Sequence, residues 1–252
     1  IDRKLIGYND EIFKLKTPSQ RDKFVKKMKV KTKEFLVNKF IPIIENDFKQ
    51  ILAKDFHVKI AYENESVCIY YPVLFKDLYI DPRIKIEIGA LGILEPCNIT
   101  KLNSYVGETY NNELKTKGIE VKSIIIERIF LDKVTILHQE AHRSIDKKIQ
   151  IRHARHYYDL YCLGQFKHVK NNAIKNKALL KSVIDSKFYF YYRPWAKYEE
   201  CLEKKIKLLP PEYNLLKLKD DYQKMAGMFL TTPPPFEDII EYLSKLEKEL
   251  NK

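Results

Sequence analysis

Val121-Lys122-Ser123-Ile124-Ile125-Ile126-Glu127-Arg128-Ile129-Phe130-Leu131-Asp132-Lys133-Val134-Thr135-Ile136-Leu137 is where the chain changes character. Val121 to Ile125 suits a short β-strand. From Ile126 onward apolar residues return at helical spacing, so that Ile126, Phe130, Leu131, Val134 and Leu137 form the buried stripe of an amphipathic helix. Everything before this junction mixes helix and strand, and everything after it reads as helix.

Upstream, Val58, Ile60 and Tyr62 alternate with polar residues, and Val67, Ile69 and Tyr71 do the same after Glu63-Asn64-Glu65. That pattern predicts a hairpin. Ile84-Lys85-Ile86-Glu87-Ile88, after an Asp81-Pro82 turn, predicts a third strand of the same sheet. Thr17-Pro18 is a helix start, followed by Phe24, Met28, Phe35, Leu36 and Phe40 at near-helical spacing. Pro42 should kink or split that helix, whose second segment runs to about Leu52. Residues 89–119 read as loop because Gly89, Gly92, Pro96, Gly107 and Gly118 punctuate them. Downstream, helices are expected over 126–143, 151–163, 172–186, 196–206, 213–228 and 236–250. The expected class is α+β: a sheet with flanking helices in residues 1–125, then a C-terminal helical bundle in 126–252.

At 252 residues the chain can bury a sizeable core, and 45% apolar against 32% charged residues excludes a disordered one. No apolar run approaches the roughly 20 residues of a membrane span, and no secretory signal is visible. Cys68, Cys97, Cys162 and Cys201 are scattered without a CxxC pair, which speaks for a reducing, cytoplasmic setting and against structural zinc. The formal charge of +12 favours a nucleotide or nucleic-acid partner, the plain alternative being a lysine-rich solvated surface.

Two helical segments carry more polar chemistry than a bundle needs. In the first, Lys133 lies at the edge of the apolar stripe, with Glu127 and Arg128 about one and a half turns earlier. A lysine held there can be aimed at a triphosphate, and the bland alternative is a lysine that snorkels to the surface. In the second, Arg152, Arg155, His156 and Asp159 recur at i, i+3 and i+4 spacing. The alternative there is a structural Arg–Asp or His–Asp pair joining two helices. Glu87, on its strand, is placed as a Mg²⁺ ligand or, equally, as a solvent-face glutamate. His138-Gln139-Glu140-Ala141-His142 misses the HExxH metalloprotease pattern by one position, and no P-loop, Rossmann loop or hydrolase elbow occurs.

Glu127 to Lys133, then Arg155-His156-Tyr157-Tyr158-Asp159-Leu160-Tyr161, then Met228 and Pro235-Phe236-Glu237-Asp238-Ile239-Ile240 together resemble the AbiEii-like nucleotidyltransferase toxins, a group that includes abortive-infection toxins and the MenT enzymes. The resemblance covers nearly the whole chain. It implies a nucleotidyltransferase-like mixed sheet of the DNA polymerase β type, joined to a helical domain. It further implies transfer of a nucleotide from an NTP, with Mg²⁺ or Mn²⁺ as cofactor, to an acceptor that is RNA such as tRNA, and a cognate antitoxin. By position, Lys133 matches the nucleotide-binding lysine, Asp159 the acidic residue of the last motif and Glu87 the strand-borne carboxylate. Arg128, Arg152, Arg155 and His156 are then expected to meet phosphate or RNA.

Such enzymes place a Gly-Ser or Gly-Gly turn and a DxD-like pair near the N-terminus, and Asp2 would be the second acid of that pair. The turn does not precede Ile1 here, so the expectation is a fragment or processed form. If the chain were whole, the alternative is an inactive nucleotide- or nucleic-acid-binding protein that keeps the fold.

Overall fold

The computed structural model describes residues 3–8, 10–52, 58–73, 82–93, 95–110, 118–229 and 231–252. They fall into two compact units, Ile1–Gly92 and Ile93–Lys252. Asp2 and the Asp81 half of the expected Asp81-Pro82 turn lie outside the described residues.

The first unit opens its main helix where the sequence marks it. Thr17 accepts the Gln20 N–H and the Gln20 side chain accepts the Thr17 N–H, a reciprocal cap that satisfies two otherwise orphaned donors, with Pro18 following as first helical residue. Helix α1 runs Pro18–Phe35 and α2 Ile41–Ile51, and between them Leu36–Phe40 forms one π-turn in which the Ile41 N–H bonds the Leu36 carbonyl. Pro42 has no N–H to give, so the expected break takes the form of one widened turn.

Strands β1 (Lys59–Glu63), β2 (Ser66–Tyr70) and β3 (Arg83–Glu87) form an antiparallel sheet in the order β1-β2-β3. The two-residue turn Asn64-Glu65, both at positive φ, sets the register Glu63↔Ser66 and Tyr62↔Val67. Central β2 buries Val67, Cys68 and Ile69. Lys29 of α1 reaches Glu65 at 2.8 Å and Lys33 lies over the Tyr62 ring, so α1 runs beside the hairpin.

The second unit begins with β4 (Cys97–Leu102), the short α3 (Tyr105–Thr109) and β5 (Ile119–Ile124). Strands β4 and β5 pair antiparallel with Cys97↔Ile124 and Leu102↔Ile119. Two corrections follow. Residues 89–119 hold a strand and a helix that their glycines and prolines had hidden, and the described strands form two separate antiparallel sheets instead of one mixed sheet. Strand β5 pairs with β4 and the Ile125 N–H returns to the Pro96 carbonyl, so both strands lie in the unit that begins at Ile93.

Helix α4 (Ile126–Ala141) follows directly and is surrounded by α5 (Arg155–Gln165), α6 (Lys167–Lys175) and α7 (Lys177–Phe190), while α5 also packs on α9 (Phe236–Leu250). Gly164 of α5 is required for that last contact, since a Cβ there would stand 2.1 Å from the Tyr242 hydroxyl. Phe130, Leu131, Val134 and Leu137 are buried as the stripe predicts, whereas Ile126 is 39% exposed at the helix start.

Three of the departures from the expected helices have a nameable reason. Helix α5 starts at Arg155 because Arg152 adopts φ 64° and Asp221, on α8 (Glu212–Lys224), accepts the N–H groups of both Arg152 and Ala154 at 2.8 Å. The segment 172–186 is split between α6 and α7 because the Asn176 side chain caps a new start by accepting the Leu179 N–H. The expected helix 196–206 is instead two 3₁₀ turns, Pro194–Ala196 and Tyr198–Cys201, separated by Lys197 at φ 50°. Side chains satisfy the backbone of that stretch: His138 serves Lys197 and Lys207, Asn251 serves Ile206, and Glu247 serves Leu208.

Candidate active site

Lys133 sits on the third turn of α4 and Asp159 on the second turn of α5, and the packing of these two helices brings the Lys133 ammonium within 2.5 Å of the Asp159 carboxylate. The His156 Nδ1 lies 3.2 Å from the same ammonium. An ammonium only donates, so Nδ1 accepts and the imidazole carries its proton on Nε2. Burial first, and then the positive charge of Lys133, holds the His156 pKa down at about 3, so the ring is neutral at physiological pH.

Lys133, Arg155 and Asp159 line a cleft of about 640 Å³, within the usual range of about 300–1,000 Å³ for ligand sites. The same cleft is lined by Tyr105, Tyr158, Met225, Met228 and Phe229. Apart from Tyr158 and Met228, which fall inside the motifs quoted above, sequence reasoning missed this apolar part. The only signal for it was the Met225 to Phe229 run at the end of α8, which is unremarkable without the fold.

The other site residues expected from sequence are placed elsewhere or lie outside the described residues. Arg128 is 2% exposed and donates to the Glu95 carbonyl and the Ser182 hydroxyl, both at 3.0 Å. It ties the chain before β4 to α4 and α7, and it does not line the cleft. Arg152 stands in the left-handed turn before α5, so it does not share the helical face of Arg155, His156 and Asp159. Glu87 ends β3 with a side chain 72% exposed and an ion pair to Lys85 at 2.5 Å.

A Mg²⁺ ion takes near-octahedral oxygen ligation. Among the described residues no group of three metal-ligating side chains includes Glu87, and Asp2 is outside them. The group of three that does come together is His138, His142 and Glu200, with ligand atoms within 4.8 Å of one another. Both His138 nitrogens are spent on backbone, however: Nδ1 accepts the Lys207 N–H and Nε2 donates to the Lys197 carbonyl, each at 3.0 Å. Burial holds its pKa down at about 4, as suits a neutral structural histidine.

The family model described as nucleotidyl transferase AbiEii toxin, Type IV TA system, matches residues 12–242, and the chain belongs to that family. Neither the curated proteins nor the solved structures contain a match. Among the described residues no helix is long and apolar enough to cross a membrane.

Proposed function

We propose that the chain transfers a nucleotide from an NTP to an RNA acceptor such as tRNA, with Lys133 gripping the triphosphate. The observation that carries this reading is that Lys133 lines the cleft while already held by Asp159 and a neutral His156. A cation aligned before substrate arrives needs no reorganisation during reaction. Triphosphate oxygens compete with Asp159 for the ammonium, and Arg155 supplies a second positive charge in the same cleft. The acceptor hydroxyl attacks the α-phosphorus, the bond to the β-phosphate oxygen breaks and pyrophosphate leaves, its growing charge met by the two cations. Asp159, released from Lys133, takes the proton that the attacking hydroxyl gives up.

In this reading the β1–β3 sheet with α1 and α2 is the nucleotidyltransferase-like part, and the helices from α4 onward form a bundle. Lys23, Lys26 and Lys27 on the exposed face of α1 supply charge for RNA phosphates. Type IV membership implies a cognate antitoxin. The protein expressed from its whole gene should label RNA from a radioactive NTP, and Lys133→Ala should abolish the labelling; retained labelling overturns the assignment. A divalent-cation requirement, which the resemblance implies, belongs to the same proposal and is read by adding chelator to that assay.

The exposed, Lys85-paired Glu87 favours a second reading, a nucleotide- or RNA-binding protein without turnover. It is supported if NTP binds and no labelling occurs.

A further inference from the structure

Cations alone would suffice to bind a polyphosphate, yet five of the side chains lining the cleft are aromatic or thioether. Tyr105 begins α3, Tyr158 belongs to α5, and Met225, Met228 and Phe229 come from the turn after α8. Apolar surface left in water is unfavourable, and a concentration of it beside fixed charges marks a binding site.

This surface is also pre-arranged. The Phe229 ring lies 4.8 Å from that of Tyr158 in edge contact and 5.5 Å from that of Tyr222. Tyr222 is 6% exposed and donates its hydroxyl hydrogen to the Pro234 carbonyl, which pins the ring cluster from behind. Met225 is 3% exposed, so its thioether is set in place as well. On α5, Arg155, Tyr158 and Asp159 stand at i, i+3 and i+4, which puts cation, ring and carboxylate on one helix face.

We propose that the Tyr158–Phe229–Met225 surface is a nucleobase subsite, where the base of the nucleoside triphosphate lies while its phosphates reach Lys133 and Arg155. The proposal rests on the nucleotidyltransferase reading above. A flat, π-bearing group attached to a polyphosphate is the ligand whose two halves match the two halves of the cleft. Stacking on aromatic rings tolerates any base, and a thioether offers a soft, polarizable contact to a ring edge. Preference among bases is therefore expected to be modest.

The test is calorimetric titration of the protein with each of the four NTPs and with inorganic tripolyphosphate, without RNA. Wild-type protein should bind NTPs more tightly than tripolyphosphate. Phe229→Ala should weaken NTP binding by about fivefold to a hundredfold and leave tripolyphosphate binding unchanged. Phe229→Leu keeps an apolar side chain but loses the flat face; it should melt like wild type and still lose NTP affinity. Lys133→Ala should weaken both ligands. Unchanged NTP affinity in both Phe229 variants overturns the subsite while leaving the proposed function standing. Failure of the wild-type protein to bind any NTP instead overturns the proposed function itself.

Discussion

Helix α4 and strand β3 both carry charges of each sign but treat them in opposite ways. On α4 every charge or imidazole inside the helix finds a partner from another part of the fold: Arg128 at Glu95 and Ser182, Lys133 at His156 and Asp159, His138 at Lys197 and Lys207, Glu140 at His153. On β3 the partners lie within the same sheet, Glu87 bonding Lys85 two residues away and Arg83 reaching Tyr70 on β2 and Glu63 on β1. An exposed pair between neighbours contributes about 0–1 kcal/mol and fixes little. A partly buried cation held from another helix has a defined position, which is what a binding site requires.

The sharpest way to break this comparison is Glu140→Ala. Burial alone would raise the Glu140 pKa, but Arg143, at 2.5 Å and 2.8 Å, together with His153 holds it down at about 2. Removing the carboxylate takes the charged partner from a largely buried guanidinium, which among the described residues keeps only the Lys148 carbonyl and the Trp195 ring, and the unfolding free energy measured by urea titration should fall by about 3 kcal/mol. Next comes Lys133→Ala, for which NTP-dependent RNA labelling should fall at least ~100-fold while the melting temperature changes little. A loss of folding comparable to that of Glu140→Ala would make Lys133 a structural lysine.

Acid should then weaken the unit that holds α4 and α5. His138 and His156 have native pKa values of about 4 and about 3, below the ordinary 6.5, so the unfolded chain binds more protons than the folded one in between. Their contribution is complete above about pH 6.5 and is lost progressively as pH falls below it. Each contributes up to about 1.4 kcal/mol per pH unit, measurable as a falling urea midpoint between pH 6.5 and 4.5. His156→Gln should flatten that slope. The smallest effect is expected on β3: Glu87→Gln should shift stability by less than about 0.5 kcal/mol. If the same change erases RNA labelling, the carboxylate acts in the reaction and β3 has a role that its exposure conceals.

The sequence exposed the long elements with clear signals. Thr17-Pro18 started α1, Pro42 marked the widened turn, the alternation through 58–71 and 84–88 produced the three-stranded sheet, and α4 and α9 began where expected. It failed where side chains distant in sequence decide the backbone. Nothing in residues 196–206 announces that His138, Asn251 and Glu247 will serve the peptide groups of that region, and nothing near Ile151 announces that Asp221 will cap a helix four residues later. Strand β4 was hidden for a related reason, since six residues among glycines and prolines gain a strand only through pairing with β5.

The candidate site divides along the same line. Lys133 at the stripe edge and the Arg155, His156 and Asp159 face were legible from helical spacing and from the quoted motifs, because both are local properties of one helix. Arg128 was legible as a cation but not as a buried one, since its partners Glu95 and Ser182 come from segments 33 and 54 residues away. By itself the sequence determined the α+β character, the basic charge and the family, all of which reside in composition, periodicity and short motifs. Only the tertiary structure decided that Lys133 meets Asp159 and His156 in a cleft shared with Tyr158, Met225 and Phe229. Contacts across tens of residues depend on helix packing, and no local pattern encodes that.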